Sequence, residues 1–468
     1  MRPPIPFQLL VLLVLTVLSP YLPAMTVNLA GPYQSKPSSP RAAGLAFYAK
    51  DGDDFLLGGK KDPQIVCLPY PRAMSLDWTL SGNRLTTPLL SGSALPRFDN
   101  SFALTFPGAD LAPGFYDVRV TVHLSETKTE TGMTTFGWKV DKMPVHPVKP
   151  DDFAAFWKTA MAKIDSVPPN PHCILEKTLQ GKEIDAYNME SASLPENYDP
   201  EGNRTDAVEV YRVRFASHDN VTVEGWFTKP VGPGPFPALL VLPGAGNIPR
   251  PAPVEHARHG YAALDIQVYG NPVDAPTYAA LPADKAPRPE DRSHYGIYLN
   301  ALQAARALKL LPGVDPHRLA VVGGSQGGRL TVVVAALAPG VKAAIPAITH
   351  FAYMPWQHWV QESNAAKQSH AEGFSPGTAG TDAPDPDRYF DVLNFAPLIR
   401  CPVLMNSGLI DPISPPTSIF AVYQALPGKK EIIPLPNTGH DWSPAFDRHA
   451  WRWLDQTLNP VPQRPVAK

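Results

Sequence analysis

Cysteine is scarce in this chain: Cys67, Cys173 and Cys401 are the only three among 468 residues. An odd number cannot all pair internally, and their scatter matches no metal-binding spacing, so neither a disulfide framework nor a cysteine-bound metal organises the fold. Cys401, ahead of Pro402 at the head of an apolar strand, reads as a buried, inert thiol. Net charge is slight as well, because 41 basic and 43 acidic side chains leave a formal −2. Such a balance provides no basic field for nucleic acid phosphates or an anionic membrane surface. Dinucleotide-binding and P-loop motifs are lacking, and neither a cofactor nor a metal is expected. Beyond residues 1–25 no apolar run is long enough to span a bilayer. The low charge does not signal disorder, since 44% of the residues are apolar and 18% charged, a globular composition.

What the chain has in excess is proline, with 56 residues where about 5% of the chain would be ordinary. The prolines are scattered through connections rather than periodic, which predicts many rigid loops. A chain of this length exceeds what one hydrophobic core serves, so more than one domain is expected. Residues 1–25 carry one positive charge at Arg2, an apolar run from Phe7 to Leu18, and then Pro20 and Pro23. The run is shorter than the ~20 residues of a spanning helix and has the layout of a secretory signal cut near Ala24. The expected location is secreted or periplasmic, with no membrane contact once the signal is removed.

Between residues 26 and 140 short alternating patterns predict a small β-sandwich of immunoglobulin-like size. In "GFYDVRVTVHL", Tyr116, Val118, Val120 and Val122 share one strand face, opposite Asp117, Arg119, Thr121 and His123. Trp78, Phe136 and Trp138 read as core packing in preference to a sugar-stacking platform. Residues 141–150 hold three prolines and read as a linker. Asp151 and Asp152 then stand where they would cap a helix that buries Phe153, Phe156, Trp157, Ala160 and Ile164. From 151 to 468 apolar strands alternate with helices, which implies a doubly wound, mostly parallel sheet of the α/β class. Sheets of this kind place ligands beyond the carboxyl ends of their strands.

Gly323-Gly324-Ser325-Gln326-Gly327 follows the apolar strand "RLAVV" and precedes an apolar helix. This is G-x-S-x-G in its required setting, a tight turn that lifts the serine hydroxyl above the sheet. A serine hydroxyl is a poor nucleophile without a base, and the base needs an orienting group. His440, in the loop "NTGHDW" after the last strand, is the candidate base. Asp411, directly after the buried strand "CPVLMNSGLI", is the candidate orienter, with Asp441 as a rival acid. The order Ser, Asp, His is that of the α/β-hydrolases. Backbone N–H groups of Gln326 and of Ala245, in "PGAG", are the candidate oxyanion donors.

These residues resemble the acetyl xylan esterase and cephalosporin C deacetylase group, carbohydrate esterase family 7. The resemblance spans roughly residues 150 to 458 and is carried by "DDFAAFW", "GVDPHRLAVVGGSQGG", the stretch from Tyr389 to Leu426, and "NTGHDW". It implies an α/β-hydrolase fold, removal of short acyl groups from O-acetylated sugars, and Ser325, Asp411 and His440 as the triad. It also admits a homo-oligomer. Three departures stand out: "DIQVYGNP", Asp265 to Pro272, replaces the usual Arg-Gly-Gln motif; Asp441 replaces a glutamate; Pro243-Gly244-Ala245 replaces His-Gly-Tyr.

Two other readings compete: a serine exopeptidase of the same fold, and a carbohydrate-binding protein without catalysis. His256 and His259 in "EHARHG" have a helical spacing that could ligate a metal, but a solvated helix face is the preferred reading. Asp382, Asp385 and Asp387 could bind calcium, but read better as an acidic surface loop. Tyr353, Trp356 and Trp359, in the insertion from Phe351 to Tyr389, either line an acyl or sugar pocket or form a plain apolar patch.

Overall fold

The computed structural model describes residues 45–458, apart from 51, 53, 60, 70, 71, 191–201, 247–249, 276–285, 369–373, 375–384 and 442. The export signal assigned to residues 1–25 lies outside the described residues, as does Asp382.

Eight strands come first, β1 (Leu45–Ala49), β2 (Leu56–Leu57), β3 (Gln64–Pro69), β4 (Ser75–Gly82), β5 (Leu90–Ala94), β6 (Phe102–Thr105), β7 (Gly114–His123) and β8 (Thr129–Trp138). They form two sheets, β1-β3-β6 and β2-β8-β7-β4-β5. The alternation in β7 holds for one face, since Tyr116, Val118, Val120 and Val122 are all buried in a shared core with Phe106 and Phe136. On the other face Asp117 is buried too, and its carboxylate accepts from Asn83 Nδ2, Thr135 Oγ1 and the Arg84 N–H. Phe136 and Trp138 are core residues, and Trp78 lies edge-on to Phe106.

After a proline-rich stretch comes α1 (Phe153–Asp165), which buries Phe153, Trp157, Ala160 and Ile164. Asp152 occupies its N-cap position but, contrary to the sequence reading, no side-chain cap forms. The Asp152 carboxylate instead accepts the Tyr389 hydroxyl hydrogen bond, so the tie is tertiary and not local. Phe156 is only half-buried and packs edge-on to Trp157.

The remaining elements are β9 (His172–Gln180), α2 (Lys182–Glu190), β10 (Ala207–Ala216), β11 (Thr222–Pro230), β12 (Phe236–Leu242), α3 (Val254–Arg258), β13 (Ala262–Gln267), α4 (Ser293–Leu308), β14 (Val314–Gly324), α5 (Gln326–Leu337), β15 (Val341–Ala347), α6 (Met354–Ala365), β16 (Val403–Gly408), α7 (Pro416–Ala425), β17 (Lys430–Leu435) and α8 (Pro444–Leu458). Their nine strands make one sheet in the order β17-β16-β15-β14-β12-β13-β11-β10-β9. From β13 to β17 every pairing is parallel, and β9, β10 and β11 extend the sheet antiparallel.

Helices cover both faces, so the central strands are apolar on both sides. Along β12, Ala238, Leu240 and Leu242 pack with α1, α4 and α5 residues, while Leu239 and Val241 pack with Trp451, Trp453 and Leu454 of α8. The period of two divides one continuous apolar run between two cores.

One buried ion pair anchors β13: Arg250 holds Asp265 bidentately at 2.9 and 2.6 Å, with both side chains almost wholly buried. Removing the cation strands a buried carboxylate. Arg250→Ala is therefore expected to lower the unfolding free energy by roughly 3–5 kcal/mol. Urea denaturation reads it, and a loss of under about 1 kcal/mol, typical of an exposed pair, would contradict this account.

Candidate active site

Ser325 stands between β14 and α5 with φ 58° and ψ −117°, a conformation that costs a non-glycine residue on the order of 1–3 kcal/mol. Three backbone bonds hold it there. Its N–H donates to the Ala347 carbonyl (3.0 Å), and its own carbonyl accepts from the N–H groups of Arg329 (3.0 Å) and His350 (3.2 Å). Crowding explains the glycines around it: a Cβ on Gly327 would lie 2.1 Å from the Leu242 carbonyl oxygen, and one on Gly323 would lie 2.7 Å from the same atom. Strand β12 thus runs directly beneath the turn, as the G-x-S-x-G reading requires.

Three side chains distant in sequence meet at the carboxyl edge of the sheet. Asp411 follows β16, and its Oδ1 accepts from the N–H groups of Ile413 and Ser414, both at 2.8 Å. Its Oδ2 accepts from His440 Nδ1 at 2.8 Å, and Ser325 Oγ donates to His440 Nε2 at 2.9 Å. An acceptor-only carboxylate on Nδ1 sets the tautomer, so Nε2 is the nitrogen that receives the serine proton. Asp411 and His440 are 1% and 2% exposed, so these bonds form out of bulk water, while Ser325 is half-exposed and reachable. Of the two rival acids, Asp411 is the one that meets Nδ1.

The candidate oxyanion donors lie on either side of the β12–α5 contact. Gln326 opens α5, where first-turn N–H groups have no intrahelical acceptor. Ala245 lies three residues past the end of β12, in the exposed bend that follows the contact with Gly327.

A second polar group, not singled out in the sequence, backs the nucleophile turn. The buried Gln326 amide oxygen accepts from Tyr269 Oη (3.0 Å) and Arg329 Nη2 (3.2 Å). The Arg329 guanidinium faces the rings of Phe351 (5.1 Å) and Tyr298 (5.6 Å) and reaches His294 Nδ1 at 3.3 Å. Guanidinium only donates, so His294 Nδ1 accepts and its proton sits on Nε2. Burial, reinforced by Arg329 and His350, pushes the His294 pKa down to about 3. Burial, then Arg329 and His440, pushes His350 down to about 4. Both imidazoles are neutral at pH 7. The sequence signal was available, for Arg329 is the single charge in the otherwise apolar α5. Tyr269 belongs to "DIQVYGNP", so the segment that stands in place of Arg-Gly-Gln contacts the nucleophile turn through its tyrosine hydroxyl.

Other sequence candidates find structural roles. His256 and His259 are buried, which corrects their reading as a solvated helix face. His259 stacks on Trp451 at 3.9 Å, and its Nδ1–H donates to the Glu255 carbonyl. An amphipathic pattern in a five-residue helix cannot reveal that α8 covers it. Asp385 accepts from the Asp387 N–H at the start of a 3₁₀ turn. Tyr353, Trp356 and Trp359 are nearly fully buried and border a cavity of about 240 Å³ between the N-terminal sheets and α6.

The model of the family "Acetyl xylan esterase (AXE1)" matches residues 185–457, more than half of the chain. The chain belongs to the acetyl xylan esterase family. It is 27% identical over 383 residues to the acetyl esterase Axe7A of Xylanibacter ruminicola, covering 77% of this chain and 78% of that one. The acetyl xylan esterase from Paenibacillus sp. R4 superposes with a TM-score of 0.50 at 25% identity, covering 67% of this chain and 96% of that one. Acetyl xylan esterase 1 from Thermoanaerobacterium sp. JW/SL YS485 gives a TM-score of 0.51 at 21% identity, over 68% and 96% of the two chains, and supports the fold. The expected α/β-hydrolase fold is thus observed, and the protein is a carboxylic ester hydrolase of the serine type.

The two depressed histidines have a consequence for this acetyl xylan esterase family member. Their folded pKa values, about 3 and 4, lie below the unfolded 6.5. The unfolded chain therefore binds more protons between those limits, so stability is full above pH 6.5 and declines as the pH falls toward 4. Urea midpoints measured across this range should fall with pH. His294→Gln, which keeps an acceptor for Arg329, should flatten the slope, and an unchanged slope would contradict the assignment.

Proposed function

We propose that the protein is an exported serine esterase that removes acetyl and other short acyl groups from O-acetylated sugars or polysaccharides such as xylan. The observation that carries this reading is the unbroken chain from Ser325 Oγ through His440 to Asp411. His440 Nε2 takes the proton of Ser325 as Oγ attacks the ester carbonyl carbon, and the carbonyl oxygen becomes an oxyanion facing the N–H groups of Gln326 and Ala245. Collapse breaks the bond to the sugar oxygen, which leaves with the proton from His440, and acetyl-Ser325 remains. Water then gives its proton to His440, attacks the acyl carbon, and acetate departs as Ser325 recovers its hydrogen. Asp411 holds the tautomer and balances the imidazolium in both half-reactions. Residues 1–25 support export, the resemblance to the acetyl esterase Axe7A supports an acetyl ester as substrate, and the acetyl xylan esterase family supports a carbohydrate carrying it.

Acetate release from acetylated xylan and from p-nitrophenyl acetate tests the reading. Ser325→Ala is expected to lower kcat by on the order of 10⁶, and Asp411→Asn by roughly 10⁴, with the fold retained. A Ser325→Ala protein that keeps its turnover would refute the scheme, and cleavage of peptides without esters would favour an exopeptidase.

A further inference from the structure

The N-terminal sheets have no part in the chemistry above, yet they contact the elements that carry both the acid and the base. Leu409, two residues before Asp411, and Phe420, in α7 just after it, are buried in the N-terminal core and not in that of the large sheet. The Phe115 and Phe420 rings lie 4.8 Å apart. Two hydrogen bonds, one buried and one partly so, cross the same seam. Thr417 Oγ1, at the start of α7, donates to Asn83 Oδ1 at 2.9 Å, and Asn83 is itself held by its Nδ2 on Asp117. Thr134 Oγ1, fully buried on β8, donates to Asn437 Oδ1 at 2.9 Å, three residues before His440. Asn437 has φ 56°, so this loop turns sharply at the residue that the N-terminal layer grips. The two loops are also joined to each other, the N–H groups of Leu409 and Ile410 donating to the Leu435 and Thr438 carbonyls. Gly408 lies beneath them with no room for a Cβ, which would meet the Gly439 oxygen at 2.3 Å.

We propose that the N-terminal β layer is a positioning element for the catalytic acid and base, and that Thr134 and Thr417 are its positioning residues. The proposal rests on the triad reading above. Apolar contacts at Leu409 and Phe420 set the distance between layer and loops. Directional bonds from Thr134 and Thr417 set the orientation in which Asp411 and His440 face each other. The serine comes with the large sheet, whereas its two partners are held from the side by a different domain. Small displacements of reacting groups are costly: about 1 Å of misplacement from a remote change can reduce turnover on the order of 100-fold.

The full-length chain with p-nitrophenyl acetate provides the test, assayed well below the melting temperature of each variant. Thr134→Val and Thr417→Val preserve shape and delete the hydroxyl. Each is expected to lower kcat by on the order of 10-fold with KM within about twofold of the parent, and Thr134→Ser, which restores the donor, is expected to recover turnover. Valine variants that melt earlier but keep the parent kcat would reduce the layer to a stabilising role and overturn the proposal, as would a kcat loss that serine does not rescue. Should Thr134→Val fail to fold, Thr417→Val carries the same two outcomes. Ser325→Ala and His440→Ala run alongside: if they retain activity the triad reading itself fails, and if they alone lose it only the positioning role fails.

Discussion

The site depends on a close approach between backbones. Strand β12 passes so near the start of α5 that the Leu242 carbonyl leaves no space for a side chain at Gly327, and the chain must turn there within one residue. That residue is Ser325, held at positive φ by the Ala347 carbonyl on one side and the His350 and Arg329 N–H groups on the other. The strain is maintained because strand, helix and the following strand β15 over-determine it. Its effect is to expose one hydroxyl at the rim of a sheet whose centre is dry, within hydrogen-bond reach of His440.

Around that turn the protein keeps charge under control by an uncommon arrangement. Among the described residues no carboxylate pairs with Arg329, although the residue is 2% exposed. The cation is instead accommodated by two aromatic faces, the Gln326 amide oxygen and a neutral histidine. A carboxylate paired with the cation would offset the part that Arg329 adds to burial in keeping His294 and His350 uncharged. The cost is a buried cation that must be solvated by weaker dipoles. The benefit is a Gln326 side chain held at its amide oxygen by both Arg329 and Tyr269.

Much of this was legible in the chain, for reasons that can be named. Strands buried on both faces leave continuous apolar runs, so "FPALLVL", "RLAVV" and "PVLMNSG" announced a parallel sheet with its loops at one end. The glycines flanking Ser325 marked the tight turn because only glycine tolerates the approach of β12. Other features left weaker traces. Strand β9 is exposed along nearly its whole length and so lacks the alternation by which strands are read. His256 and His259 looked solvated because α8, almost two hundred residues away, is what buries them. Asp152 looked like a cap because local spacing says nothing of Tyr389.

The sequence by itself determined the class of fold, the strained turn and the identity of three chemically suited side chains, since each depends on neighbours within a few residues. Only the tertiary structure decided that Ser325, His440 and Asp411 meet at 2.9 and 2.8 Å, that Arg329 and Tyr269 brace the turn, and that a separate β layer grips the two partner loops. Those facts require the spatial addition of segments far apart along the chain. Hydrophobic periodicity records which face of an element is covered and carries no information about what covers it.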